Sequence, residues 1–401
     1  MLNRKINKVA VLGSGIMGSR IACHFANIGV EVLLLDIAAK EGARNSIVDA
    51  ALQSAVKTNP SPVYSKKVLS RISTGNFEDD MSRISSCDWV IEVVVENLDI
   101  KRKVFEQVEQ HRKPGTLITS NTSGIPIHLM AEGRSDDFKA HFCGTHFFNP
   151  PRYLRLLEII PTLFTKPELV EFLMHYGDKF LGKTTVLCKD TPAFIANRVG
   201  VYSIMALLHL VEKMDLTVEE VDKFTGPALG RPKSATFRTT DVVGLDTMIK
   251  VAKGLYDNVP DDKAHDLFNL PGYVERMNAN QWLGDKTGQG FYKKTKTAEG
   301  KTEILALDLK TLEYRPQEKV KSGTLDLTKS IENVRDRMKV FAAGKDKAAE
   351  LFRASFFGLF EYVSDRIPEI SDELYRIDDA MRAGFGWDLG PFEVWDAIGV
   401  A

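Results

Sequence analysis

Cysteine is scarce, with four in 401 residues, at Cys23, Cys87, Cys143 and Cys188. They are far apart and form neither a CxxC pair nor a Cys/His cluster. That spacing excludes a disulfide framework and a zinc ribbon. It fits buried thiols in a reducing compartment, with no metal site expected. Neither sign of charge is in excess, since 53 Lys and Arg face 54 Asp and Glu. A nucleic-acid partner or an anionic membrane surface is therefore not expected. No apolar run approaches the roughly 18 residues that span a bilayer. Residues 1–8 are polar and lack the apolar core of a signal peptide. The default expectation is a cytoplasmic protein without a membrane span; an organelle form that has lost its targeting segment is the alternative.

The chain does have length, and 401 residues predict two or three domains. Residues 6–12 are a short apolar run ending at Gly13, a buried parallel strand by pattern. Residues 16–28 read as a helix stopped by Gly29, and residues 30–36 as a second strand. Strand, glycine turn, helix, strand is a βαβ unit, which builds a parallel sheet. The alternation continues with strands at 89–95, 116–120, 142–146 and 154–160, and helices at 100–110 and 167–180. Beyond Asp190 it stops: a long apolar helix is predicted over 192–211, with Asp190 or Thr191 as its cap and Pro192 in its first turn. The expected organisation is an α/β Rossmann-type domain over 1–189 and an all-α domain over 190–293. A polar linker follows over 294–330, then a second helical copy over 331–401.

The second copy rests on an internal repeat. Asp222, Gly226, Gly230, Phe237 and the run Asp241-Val242-Val243-Gly244 recur as Asp379, Gly384, Gly386, Phe392 and Asp396-Ala397-Ile398-Gly399. The offset is about 155 to 158 residues, with small gaps. Chance similarity of glycine-rich helix ends is the competing explanation.

Gly13-Ser14-Gly15-Ile16-Met17-Gly18 is a GxGxxG turn between a strand and a helix. Gly13 serves the tight turn, Gly15 the close approach of a pyrophosphate, and Gly18 the packing of helix on strand. The helix start offers free N–H groups and partial positive charge to phosphates. Asp36 ends the next strand, where a carboxylate accepts hydrogen bonds from ribose hydroxyls and repels a 2′-phosphate. NAD is therefore expected over NADP; a FAD site or an empty turn are the alternatives.

His146 follows a short strand in Thr145-His146-Phe147-Phe148-Asn149-Pro150, and Glu158 lies on the next. Such a pair suits alcohol oxidation, because hydride leaves carbon as the hydroxyl proton is removed and histidine titrates near working pH. Taken without the surrounding motif, His146 is more often a satisfied structural histidine. Ser120-Asn121-Thr122-Ser123-Gly124 is a polar loop after a strand, either functional or an ordinary capping loop. Asn197 is a polar residue in an apolar helix, facing a site or bonded locally.

Together these motifs resemble the 3-hydroxyacyl-CoA dehydrogenase family. The pieces are GSGIMG (13–18), VEN (95–97), SNTS (120–123), HFFNP (146–150), KDTPAFIANR (189–198), DVVGLD (241–246) and KTGQGFY (286–292). The resemblance implies His146 as general base and Glu158 as its partner. Ser123 and Asn197 would bind the reacting hydroxyl and the thioester carbonyl, supported by Asn149. Gly13, Gly15, Ile16, Met17, Gly18, Asp36, Glu96, Lys101 and Ser123 would lie along NAD, with Lys101 near the nicotinamide or its ribose. The implied reaction converts an (S)-3-hydroxyacyl-CoA to 3-ketoacyl-CoA in fatty-acid β-oxidation.

The sequence departs from the family in two places. Residues 231–238, RPKSATFR, stand where a proline-rich turn is common. Asn149 is followed by Pro150-Pro151-Arg152-Tyr153, unlike the short members. Both bear on acyl-chain preference, not on the His146–Glu158 pair. The duplicated helical region resembles the long members, in which the second copy replaces a partner subunit and permits a monomer. Long members often continue into an enoyl-CoA hydratase domain. None is visible here, so a covalent or separate hydratase partner is a possibility and hydratase activity is not expected. The rival functions are a two-domain dehydrogenase for a small hydroxy acid or sugar acid, and a non-catalytic NAD-binding subunit.

Overall fold

The computed structural model describes residues 4–297 and 299–400. Two compact units divide between Phe194 and Ile195; the first also takes Glu369–Ser371.

The first unit is an eight-stranded sheet in the order β3-β2-β1-β4-β5-β6-β7-β8. The strands are β1 (Lys8–Leu12), β2 (Glu31–Asp36), β3 (Ile72–Asn76), β4 (Trp89–Glu92), β5 (Leu117–Ser120), β6 (Phe142–Phe147), β7 (Leu156–Pro161) and β8 (Thr184–Leu187). All neighbouring pairs are parallel except β6 and β7. The strand order reverses beside β1, which makes its carboxyl end a ligand crevice by the general rule for such sheets. Helix α1 (Ile16–Asn27) buries Ile21, Ala22, Phe25 and Ala26 against β1 and β2. Trp89 anchors the middle of the sheet, edge-on to Phe25 at 5.3 Å and donating from Nε1 to Thr119 Oγ1 at 2.9 Å.

The predicted strands are present, some shorter than expected. Strands β3 and β8, at the two sheet edges, were not foreseen. The predicted helix over 192–211 starts later, at Ala196. Ala193 and Phe194 hold left-handed backbone angles, φ 62 and 52, so the chain turns before it winds. Asp190 does not cap that helix. Its carboxylate accepts from the N–H groups of Ile127 and His128 at 2.6 and 2.9 Å and from His128 Nδ1 at 2.7 Å.

The second unit is mainly helical. Its first helix, Ala196–Lys213, buries Arg198, which donates from Nη2 to Asp262 and from Nε to Tyr362, both at 2.7 Å. Tyr202 and Tyr362 stack at 3.8 Å. The stretch expected to be a bare linker is structured: β9 (Tyr292–Lys296), β10 (Thr302–Leu307) and β11 (Tyr314–Pro316) form an antiparallel sheet, followed by a helix over Gly323–Thr328. The expected helical regions are thus joined by a small sheet at the expected linker. Its lysine- and threonine-rich strands are half-exposed and carry little of the apolar alternation that marks a strand.

The repeated motif takes a repeated local form. Asp222 accepts from the N–H groups of Thr236, Phe237 and Arg238 at the start of helix Phe237–Val243. Asp378 accepts from Phe392 at 2.9 Å in the start of helix Pro391–Ile398. Burial pushes Asp222 up to about 6 and Asp378 up to about 7. Gly230 and Gly386 share a left-handed conformation (φ 66, ψ 31 and φ 67, ψ 29), and Gly244 and Gly399 share another (φ 104, ψ 123 and φ 97, ψ 139). The structural counterpart of Asp222 is thus Asp378, one residue before the Asp379 that sequence matching chose.

Candidate functional site

The carboxyl ends of β1, β2, β4, β5 and β6 carry the expected site residues of the first unit, apart from Glu158 within β7 and Lys101 on the helix after β4. After β1, a Cβ on Gly13 would lie 2.6 Å from the carbonyl oxygen of Val93, and one on Gly18 would overlap the carbonyl of Gly13. Both positions exclude a side chain by contact. Gly15 is different: nothing lies within 4 Å of its would-be Cβ, and it opens α1, whose first turn carries no acidic residue. Open space beside free helix-start N–H groups is the cradle a pyrophosphate requires. Ile16 is exposed and Met17 half-buried on the same turn. Asp36 ends β2 beside it. Its Oδ2 accepts from Ser14 N at 2.6 Å and Ser14 Oγ at 2.5 Å, and its Oδ1 from Ile37 N at 2.7 Å. The carboxylate is held in place, half-buried, at the edge of the cradle. These residues fit a dinucleotide.

Antiparallel pairing of β6 and β7 sets His146 directly opposite Glu158. Their side chains meet, with Nδ1 of His146 2.7 Å from Oε2 of Glu158. Both are buried, with Glu158 at 0% exposure. Phe148 and Phe194 flank the imidazole at 4.5 and 5.7 Å between ring centres. The carboxylate engages Nδ1 and so fixes the tautomer that leaves Nε2 as acceptor.

The SNTS loop explains itself residue by residue. Ser120 Oγ donates to Glu92 at 2.5 Å. Asn121 Oδ1 accepts from Phe147 N at 2.9 Å, beside His146. Thr122 Oγ1 donates to Glu96 at 2.5 Å, and Ser123 N donates to the same oxygen at 3.0 Å. Ser123 is exposed, and its hydroxyl has no hydrogen bond among the described residues. Lys101, from helix α2 (Leu98–His111), is buried between Glu92 at 2.8 Å and Glu96 at 3.3 Å. Burial raises Glu96, but Lys101, Thr122 and Ser123 outweigh it and hold the group below its ordinary value. Glu92 stays raised, its burial being complete despite Lys101 and Ser120. Lys101, expected along the cofactor, is 1% exposed and pairs with both Glu92 and Glu96.

The structure thus brings together His146 with Glu158, and Glu96 with Ser123 and Lys101. Asn149 is exposed after β6, where Arg20 donates to its Oδ1 at 2.5 Å. Asn197 belongs to the second unit, half-buried in the first turn of helix Ala196–Lys213. Sequence reasoning missed Glu92, Asn121, Thr122 and Arg20. Glu92 had a legible signal, a lone acid closing the apolar run Trp89-Val90-Ile91.

Two family models match the chain: "3-hydroxyacyl-CoA dehydrogenase, NAD binding domain" over residues 8–191 and "3-hydroxyacyl-CoA dehydrogenase, C-terminal domain" over 194–294. A probable 3-hydroxyacyl-CoA dehydrogenase of Bacillus subtilis is 48% identical over all of this chain and 52% of its own length. Another from Deinococcus radiodurans is 47% identical, over 73% of this chain and 84% of its own. A putative fatty acid oxidation complex trifunctional enzyme of Rickettsia felis is 34% identical, over 98% of this chain and 53% of its own. The chain therefore spans about half the length of the Bacillus and Rickettsia relatives. The chain belongs to the 3-hydroxyacyl-CoA dehydrogenase family, and its first unit is that family's NAD-binding domain.

Proposed function

We propose that this protein oxidises the 3-hydroxyl of an (S)-3-hydroxyacyl-CoA thioester to the 3-ketone. The observation that carries the reading is the buried His146–Glu158 pair, set at the carboxyl end of β6 in the sheet that holds the dinucleotide cradle. Nε2 of His146 takes the hydroxyl proton as the C3 hydride departs. Bound NAD supplies the hydride acceptor. Glu158 stabilises the imidazolium that forms, without itself taking the proton. Phe148 and Phe194 keep water from the ring, which strengthens that charge pairing. Ser123 and Asn149 present polar groups to the substrate, and Glu96 and Asp36 face the cofactor.

The fatty-acid oxidation setting is supported by the name of the Rickettsia relative. An enoyl-CoA hydratase partner, covalent or separate, fits that setting. Residues 331–401 are the second copy of the helical domain, supported by the matched geometry of Asp222 and Asp378, and this copy permits a monomer. No helix among the described residues is long and apolar enough to cross a membrane, which fits a cytoplasmic location.

The experiment is NADH formation with 3-hydroxybutyryl-CoA and a long-chain 3-hydroxyacyl-CoA, each with NAD and with NADP. Turnover with NAD supports the reading, and the substrate ratio gives the chain preference. Folded protein that binds NAD and turns over neither thioester overturns it.

A further inference from the structure

A cavity of about 1280 Å³ opens within the second unit, between helix Val218–Thr225, strands β9 and β10, residues 317–320 and helix Gly323–Thr328. Clefts that hold a small molecule are typically about 300–1,000 Å³, so this one has room to spare. Seven basic residues face four acidic ones around its wall. The acids are already engaged. Glu219 accepts from Arg315 at 2.7 Å, and Glu318 lies 3.6 Å from the same guanidinium. Asp285 accepts from Arg238 at 2.6 Å. Asp222 accepts from three backbone N–H groups and from the Tyr292 hydroxyl. Lys223, Lys233, Lys294 and Lys319 are left over. None of the four makes an ion pair or a side-chain hydrogen bond among the described residues. Arg337 completes the wall: its Nη1 donates to Pro227 O at 2.8 Å, and its Nε is buried without a hydrogen-bond partner.

The internal repeat shows that the fold does not require these cations. With Asp222 matched to Asp378 and Gly230 to Gly386, Lys223 corresponds to Asp379 and Lys233 to Leu389. With Phe237 matched to Phe392, Arg238 corresponds to Glu393. The second copy keeps the same turns with the opposite charge, and there Arg382 pairs with both Asp379 and Glu393. The first copy adds lysines and leaves them unpaired. A cleft lined by one sign of charge concentrates ligands of the other sign, and lysine binds phosphate as a point charge. The four lysines stand on four separate segments, so one ligand meets them only with several negative charges along its length. Ile304, 50% exposed in the same wall, offers an apolar surface beside them.

We propose that this cavity is a second ligand site, independent of the dehydrogenase reaction, that binds a chain of phosphates through Lys223, Lys233, Lys294 and Lys319. Two sources share that chemistry, a nucleoside triphosphate and an inorganic polyphosphate. The site belongs to the second unit alone and uses none of the residues assigned to NAD or to proton transfer.

The test is calorimetry of the full chain with ATP and with inorganic tripolyphosphate, at saturating NAD so that the cradle at Gly15 is filled. Wild-type protein binds at least one of the two. The variant Lys223→Asp/Lys233→Leu carries what the second copy holds at the matched positions. It keeps its unfolding temperature and its NAD affinity, and binds the phosphate ligand about tenfold more weakly or worse, the size of a lost charge-assisted hydrogen bond. Lys294→Gln/Lys319→Gln, outside the repeat, weakens binding likewise. Tighter binding of ATP than of tripolyphosphate identifies a nucleotide; the reverse identifies an inorganic chain. No binding of either probe by the wild-type protein, or binding that both double variants leave unchanged, overturns the site.

Discussion

Lys101 sits between two carboxylates, 2.8 Å from Glu92 and 3.3 Å from Glu96, with its side chain 1% exposed. Such an arrangement balances only while all three groups are present. Lys101→Met leaves Glu92 buried without its cation, and removing one partner of a buried pair typically costs about 3–5 kcal/mol. Urea unfolding of Lys101→Met should show that loss, and adding Glu92→Gln should restore most of it. A single variant within 1 kcal/mol of wild type, roughly the worth of an exposed pair, contradicts the role given to Lys101.

Asp36 supplies the next expectation. Its carboxylate is already fixed by Ser14 and Ile37, so it meets a ribose without reorganising. Losing a charge-assisted hydrogen bond of this kind costs about 1.5–3 kcal/mol. Asp36→Ala should therefore raise KM for NAD about tenfold or more and narrow the preference over NADP. Unchanged discrimination between the two cofactors places the ribose elsewhere.

The duplicated helical motif is tested by its two aspartates. Asp222→Ala orphans the N–H groups of Thr236, Phe237 and Arg238, and Asp378→Ala orphans that of Phe392. An unsatisfied buried group costs about 1–3 kcal/mol. Both variants should lose stability, Asp222→Ala the more because it also loses the Tyr292 hydroxyl at 2.9 Å. Asp379→Ala, the residue matched by sequence alone, should lose less than either. If Asp379→Ala proves the costlier of the second-copy pair, the structural equivalence is wrong.

His24 carries a pH dependence. Its Nε2 meets Leu181 O at 3.1 Å, and burial, Lys183 and Arg152 lower it to about 4 from an ordinary 6.5. The folded protein prefers the neutral ring, so the stability this gives is present above pH 6.5 and is lost as pH falls through about 4. The full loss is about 3 kcal/mol at 1.36 kcal/mol per unit. Lys183, lowered to about 8, has already charged in that window and adds no slope. Denaturant midpoints between pH 7 and 4 should fall less steeply for His24→Gln than for wild type. Parallel curves mean that His24 is not the group titrating.

How much of this was readable beforehand follows from burial and contact order. Strands β1, β2 and β4 announce themselves because they are buried and carry short continuous apolar runs. Strands β3 and β8 escape because they are edges: Ile72-Ser73-Thr74-Gly75-Asn76 buries only its last two residues. In the small sheet, β9 escapes because Tyr292–Lys296 buries no residue. His146 and Glu158 were legible as a pair because strand register is local and the strands are consecutive. Asn121 and Thr122 were not, since their partners Phe147 and Glu96 lie 26 residues away in each case and nothing in spacing joins them. Asp190 is the plainest example: an acid before Thr191-Pro192 reads as a helix cap, yet it bonds to Ile127 and His128, more than sixty residues away.

The central claim is that Nε2 of His146, oriented by Glu158, removes the substrate proton. The most direct measurement is NADH formation from 3-hydroxybutyryl-CoA by wild type, His146→Gln and Glu158→Gln, with NAD affinity measured beside it. A general base contributes about 10²–10⁴ in rate. The account predicts a kcat loss of that order for His146→Gln, a smaller loss for Glu158→Gln, and unchanged NAD affinity in both. His146→Gln that turns over at the wild-type rate contradicts it.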